Sequence, residues 1–102
     1  MYTIKPLPEF SKWLSGVRDG MTQRRLVVRL RKASLGNLGD VKSVGEGVFE
    51  MREHFGAGWR MYYVQKGEVL IVMLGGGSKA TQVADIARAV KLAATIKGVS
   101  HE

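Results

Sequence analysis

The sequence of 102 residues contains no cysteine and only two histidines. Without cysteine the chain forms no disulfide, no thiolate zinc site and no cysteine nucleophile. His54 and His101 are far apart in sequence, and the carboxylates at positions 46, 50 and 53 fall on both faces of one predicted strand and its turn. We therefore expect neither a metal site nor another cofactor.

Long apolar runs are also missing. The longest covers residues 69–74, which is far shorter than the roughly 20 residues of a membrane-spanning helix. The N-terminus lacks the basic and then apolar layout of a signal peptide. Hydrophobic residues make up 45% of the chain, enough for one core. We expect a single domain over residues 1–102, located in the cytoplasm and without a membrane partner.

Acidic residues are few: nine Asp and Glu stand against sixteen Lys and Arg, which gives a formal charge of +7. A small body with this charge attracts polyanions, such as nucleic acid, an acidic protein surface or anionic lipid. Composition does not choose among these partners, and an ordinary solvated basic surface is the alternative.

The hydrophobic period changes along the chain and predicts an α+β fold. A short strand over residues 1–5 is closed by Pro6 and Pro8. Helical spacing then predicts an antiparallel hairpin of two helices, the second over residues 21–35 and stopped at Gly36. Alternating and apolar stretches predict a four-strand antiparallel meander, followed by a C-terminal helix. The predicted strands cover residues 40–44, 48–54, 59–66 and 69–74, and the helix covers residues 81–96.

The second helix carries a dense group of basic residues beside its apolar stripe: Arg24, Arg25, Arg29, Arg31 and Lys32. A solvated face and a surface for nucleic acid or an acidic partner both explain this pattern. Arg24 and Arg25 are our candidates for contact with RNA.

Alternation in the meander predicts one sheet face covered by helices and one open face. Arg52, Arg60 and Tyr62 are expected to project from the open face, with the two arginines on neighbouring strands. Such arginines repel each other unless a negative group lies between them, and phosphate oxygens match the guanidinium fork. Glu50 offers the competing explanation, a surface ion pair with Arg52.

The segment GGGSKATQ, residues 75–82, follows the last predicted strand. It lacks the GxxxxGK[ST] spacing of a nucleotide-binding loop, so a nucleoside triphosphate site is not expected. Lys79 should emerge beside the strands that carry Arg60 and Arg52, and Lys42 adds a fourth cation. Such a surface would bind RNA and stabilise charge on a phosphate attacked by the neighbouring 2′-hydroxyl.

The order of elements, together with the stretches GNLGDVKSVGEGVFEMR, FGAGWRMYYV and GGGSKATQ, resembles the RelE/ParE superfamily of bacterial type II toxins. Within it, the chain is most similar to the HigB-like, phage-derived addiction-module killer branch. The resemblance covers nearly the whole chain. It implies a ribosome-dependent endonuclease that cuts translated mRNA without a metal. It also implies a cognate antitoxin with a helix-turn-helix domain. The toxin would contact operator DNA only through this antitoxin.

The resemblance also assigns roles. Arg60, in GWR, matches an arginine that contacts the scissile phosphate. Arg52 matches a basic residue that acts as base or charge stabiliser. Lys79 matches a basic residue that follows the final strand. Because a guanidinium stays protonated near neutral pH, Arg52 is expected to stabilise charge. Tyr62 or His54 would then move protons.

Two positions depart from the family pattern. Glu50 stands where some relatives carry a lysine, and Asp85 stands where some carry a catalytic tyrosine. Two alternatives therefore stay open: a toxin like the ParE side of the superfamily, which inhibits DNA gyrase without cutting RNA, and a binding module without activity.

Overall fold

A computed structural model describes residues 1–96; residues 97–102, which include His101 and the end of the predicted single domain, lie outside that range. The described residues form three α-helices and one sheet of five strands, which confirms the α+β class. In chain order the elements are β1 (Thr3–Pro6), α1 (Pro8–Ser15), α2 (Gly20–Ser34), β2 (Val41–Gly45), β3 (Val48–Arg52), β4 (Arg60–Lys66), β5 (Leu70–Gly77), a 3₁₀ turn (Lys79–Thr81) and α3 (Gln82–Ala93).

The sheet has the order β1-β5-β4-β3-β2. Strands β2 to β5 form the predicted antiparallel meander, and β1 adds to it in parallel, with Ile4 opposite Ile71. The sheet is therefore mixed, and β1 lies at one of its edges.

Local sequence signals explain the helix ends. Pro8 begins α1, where its missing N–H costs no hydrogen bond. Asp19 caps α2 by accepting hydrogen bonds from the backbone N–H and the hydroxyl of Thr22. Gly36 takes a φ of 101° just after α2, as expected for a helix stop. Residues 16–19 join the two helices, and the Gln23 side-chain amide donates to the Leu14 carbonyl across that joint.

Helices cover both faces of the sheet. Phe10 of α1 and Leu26 of α2 pack with Met51, Met61 and other residues on one face. On the opposite face, α3 packs its small residues against a second apolar cluster: Val48, Tyr62, Val64, Val72, Leu74, Ala89 and Ala93. The expectation of an open sheet face was wrong, because α3 folds back over β4, the strand that carries Arg60 and Tyr62.

The three glycines of GGGSKATQ continue β5 instead of following it. Gly75, Gly76 and Gly77 pair with Tyr62, Met61 and Arg60 of β4. A Cβ atom on Gly76 would lie 2.5 Å from the Trp13 ring, and one on Gly77 would lie 1.9 Å from the Asp85 carboxylate. Two of the glycines thus let α1 and α3 approach the end of the strand.

None of the helices within residues 1–96 combines the length and the apolar character needed to cross a membrane.

Candidate functional site

The predicted cations lie at one end of the sheet. Arg52 on β3 is directly opposite Arg60 on β4, and Arg60 is opposite Gly77 on β5. Lys79 follows two residues later, and its backbone N–H donates to the Ala57 carbonyl at 3.3 Å. A Cβ on Gly58 would lie 3.9 Å from both Arg60 Nη1 and Lys79 Cδ. Arg52, Arg60 and Lys79 are therefore neighbours, and we call them the cation row.

Arg60 is the buried member of this row. Its Nη1 donates to the carbonyls of Glu53 and Trp59, both at 3.1 Å. Its Nε lies 3.7 Å from Oε1 of Glu50, which is itself fully buried. The competing explanation, an ion pair of Glu50 with Arg52, was wrong: Glu50 pairs with Arg60, because the side chains of both are buried on the sheet face that α3 covers.

Tyr62 and Gln82 complete the surroundings of Glu50. Gln82 of α3 donates to Oε2 of Glu50 at 2.7 Å. Tyr62 is directly opposite Glu50 in the sheet and is fully buried. Burial, and then the negative charge of Glu50, raises the pKa of the Tyr62 hydroxyl above its usual range. Tyr62 thus does not project into solvent, which corrects its predicted position, and burial leaves it poorly placed to exchange protons with a substrate.

Arg52 and His54 share one carboxylate. Arg52 Nε lies 3.4 Å from Oδ2 of Asp40, and His54 Nε2 lies 2.7 Å from the same oxygen. The hydrogen bond from His54, followed by the charge of Arg52, holds the pKa of Asp40 below its usual range although burial opposes this shift. Asp40 is therefore ionised near neutral pH, and His54 Nε2 donates to it. His54 is 63% exposed and Arg52 31%, so both reach solvent.

Asp85, which departs from the family pattern, is also buried. It accepts hydrogen bonds from Thr81 Oγ1 and Arg88 Nη2, both at 2.5 Å. The pairing with Arg88 neutralises this carboxylate, and its position against Gly77 closes the end of β5 under α3. Its contacts are those of a residue that anchors the helix.

The three residues predicted to bind RNA are exposed but do not share one surface. Lys42 is on β2, opposite Glu50. Arg24 and Arg25 are on α2, where they line a pocket of about 470 Å³ together with Lys32. The Arg25 guanidinium lies 3.7 Å from the centre of the Phe55 ring, in the loop that precedes β4.

Arg29 is a structural residue that the sequence interpretation missed. It is buried, pairs with Glu53, and donates to the carbonyls of Leu38, Asp40 and Arg52. It therefore ties α2 to the segment before β2, which contains Leu38 and Asp40, and to Arg52 at the end of β3. Its position three residues after Leu26 places it on the apolar stripe of α2, and that spacing was the available signal.

Within the described range 1–96, no three His, Asp or Glu side chains are grouped so that they could hold a metal ion.

The fold and these contacts define a small, basic α+β protein with a cation row at one end of a mixed sheet. The chain is 39% identical over 90 residues to an uncharacterized protein of Haemophilus influenzae (strain ATCC 51907 / DSM 11121 / KW20 / Rd), over 88% of this chain and 91% of that protein. The chain belongs to the same family as that protein. No family model matches it, and no solved structure matches it.

Proposed function

We propose that the chain is the toxin of a type II toxin–antitoxin system, of the HigB-like branch of the RelE/ParE superfamily. It acts in the cytoplasm as a ribosome-dependent mRNA endonuclease that needs no metal. A cognate antitoxin with a helix-turn-helix domain neutralises it and carries it to operator DNA. The proposal is supported by the quoted motifs and by an α+β fold with the expected order of elements.

One observation carries the nuclease function: the cation row has an exposed histidine at its end. Arg52 and Lys79 reach solvent on either side of the buried Arg60, and His54 lies beyond Arg52. A phosphate of a bound message would contact Arg52 and Lys79 directly, while Arg60 adds positive charge from below. Preorganised cations of this kind stabilise charge as it develops on a phosphate.

His54 is the best placed group to accept a proton. Because Nε2 donates to the ionised Asp40, Nδ1 is the acceptor in the neutral imidazole. Nδ1 would take the proton of the 2′-hydroxyl as its oxygen attacks the phosphorus. The bond from phosphorus to the 5′-oxygen then breaks, leaving a 2′,3′-cyclic phosphate and a 5′-hydroxyl, whose proton comes from solvent. Asp40 orients the ring, and Arg52 stabilises the added negative charge.

The function can be tested with purified protein, end-labelled mRNA and ribosomes stalled on that message. We expect cleavage only when ribosomes are present, and a loss of about 100-fold or more in rate for His54→Ala, the usual scale of general base catalysis. Lys79→Ala should also slow cleavage strongly. The matched control is Lys66→Ala, at the far end of β4, which should cleave normally.

The pairing of two cations with carboxylates favours a second candidate, the ParE-like inhibitor of DNA gyrase. Arg60 is paired with Glu50 and Arg52 with Asp40, so both arginines have partners without a bound phosphate. A toxin that acts by protein contact needs no free catalytic cation. Inhibition of gyrase supercoiling by the purified protein, with mRNA left intact on ribosomes, would replace the nuclease proposal with this one.

A further inference from the structure

Strand β5 extends beyond its neighbour β1. The last residue of β1, Pro6, is opposite Met73, and α1 begins directly afterwards. Residues 74–77 of β5 therefore have β4 on one side and, among the described residues, no strand on the other. An unpaired strand edge presents backbone N–H and C=O groups that can bind another extended chain.

This edge opens into a cleft of about 570 Å³ between the two helix layers. Trp13 of α1 forms one wall, and Ala89 and Leu92 of α3 are on the other. Gly75, Gly76 and Gly77 line the space between them, and a glycine contributes only backbone heavy atoms. The cleft therefore combines apolar walls with an accessible strand backbone.

Packing requires glycine at only two of these three positions. Gly76 and Gly77 make room for Trp13 and Asp85, whereas a Cβ on Gly75 would meet nothing within 4 Å. Gly75 also lacks a positive φ, so its backbone conformation does not require glycine either. A side chain at position 75 would occupy part of the cleft. Glycine at this position therefore leaves the cleft free for another chain to enter.

The charges of the cleft differ between its walls. Arg88 and Lys91 on α3 are exposed at the rim, whereas Asp85 is buried and paired with Arg88. Glu9 is on the α1 side. Successive side chains of an entering strand point to opposite helix layers. The arrangement fits a strand with acidic residues toward α3 and apolar residues toward Trp13, and the charge of +7 attracts such a strand.

We propose that this cleft binds an extended peptide segment of a partner protein, which pairs with residues 74–77 as an added strand. The segment alternates acidic and apolar side chains. Main-chain hydrogen bonds supply affinity in this mode, and the walls supply specificity. The site goes beyond the proposed nuclease function, since it involves neither RNA nor the cation row.

The test begins with a phage-displayed library of random linear peptides of about 12 residues, long enough to pair with one strand, selected against the immobilised full chain. Selected peptides are synthesised, and their affinities and amide hydrogen exchange are measured. We expect alternating acidic and apolar sequences that slow exchange at residues 74–77. Gly75→Val should abolish binding while the chain stays folded, since a Cβ at this position has free space.

A charge variant and its control check the orientation. Lys91→Glu should weaken binding about fivefold, the scale of an exposed charge contact. Lys66→Glu makes the same charge change at the last residue of β4 and should alter affinity less than twofold if only long-range attraction is affected. Equal weakening by the two variants contradicts the proposed orientation.

Three other results would overturn the proposal. Selection of no binding peptide is one, and selected peptides that leave exchange at residues 74–77 unchanged are another. The third is sedimentation of the protein as a dimer that Gly75→Val converts to a monomer, because the occupant would then be a second copy of this chain.

Discussion

Arg60 and Glu50 form a buried ion pair beneath α3, with 3.7 Å between Arg60 Nε and Glu50 Oε1. Gln82 of α3 holds the other carboxylate oxygen of Glu50. The pair thereby connects three adjacent elements, and it keeps one member of the cation row fixed inside the protein. Arg60 acts in the proposed nuclease site as a preset positive charge behind Arg52 and Lys79, not as a mobile side chain.

Removal of Glu50 should destabilise the fold strongly. In Glu50→Ala the Arg60 guanidinium stays buried without its carboxylate, and we expect a loss of about 3–5 kcal/mol in the free energy of unfolding. Urea denaturation measures this loss. The neighbouring exposed Lys42→Ala should change stability by less than about 0.5 kcal/mol. Equal effects of the two substitutions would mean that the pair contributes nothing.

The glycines at the end of β5 should differ in their tolerance of a methyl group. Gly76→Ala brings Cβ to 2.5 Å from the Trp13 ring, and we expect overpacking to cost about 1–3 kcal/mol. Gly75→Ala meets no atom within 4 Å and should be tolerated. Thermal unfolding of the two variants compares them directly. If Gly75→Ala were the less stable variant, the described packing of α1 on β5 would be wrong.

Arg29 should matter far more to stability than its exposed neighbour on α2. Arg29→Met leaves Glu53 unpaired and removes the donor to three backbone carbonyls, so we expect a loss of about 3–5 kcal/mol. The matched control is Arg24→Met, at an exposed position, which should be nearly neutral. Guanidinium chloride denaturation compares the two variants. Equal stability of both variants would mean that Arg29, like Arg24, belongs to a solvated basic face and does not stabilise the fold.

Acid should remove the contribution of Asp40 to stability. The pKa of Asp40 is lower in the folded chain than its usual value, chiefly because it accepts a hydrogen bond from His54. Such a group stabilises the fold fully above the unfolded pKa, near about 4, and loses this contribution as pH falls through the lower folded value. Wild type should therefore be more stable than Asp40→Asn at pH 6, with the difference disappearing toward pH 2. A difference that is independent of pH would contradict the pairing.

Much of the fold follows from periodicity. The helical stripe of α2, the alternation of β3 and β4 and the stop at Gly36 each predicted an element that the structure contains. The extent of β5 could not be predicted in this way, because glycines normally weaken a strand. Residues 75–77 stay in the sheet by pairing with β4, and the close approach of Trp13 and Asp85 explains why Gly76 and Gly77 carry no side chain.

The sequence predicted that Arg52 and Arg60 lie close together, but it did not predict that Arg60 and Tyr62 are buried. Strand register places Arg52 opposite Arg60, and a hairpin turn at residues 55–58 was enough to expect it. Alternation cannot show whether a helix covers a sheet face, so the coverage of Arg60 and Tyr62 by α3 was missed. The role of Asp40 was also missed, because periodicity does not indicate a side-chain contact with His54, 14 residues further along the chain.

The most direct measurement maps 5′ ends in bacteria that express the protein, on a translated reporter message and on the same message without its start codon. We expect cuts in phase with codons that disappear without the start codon and in cells expressing His54→Ala. Growth arrest with an intact message, or cuts that persist without translation, would contradict the proposed nuclease function.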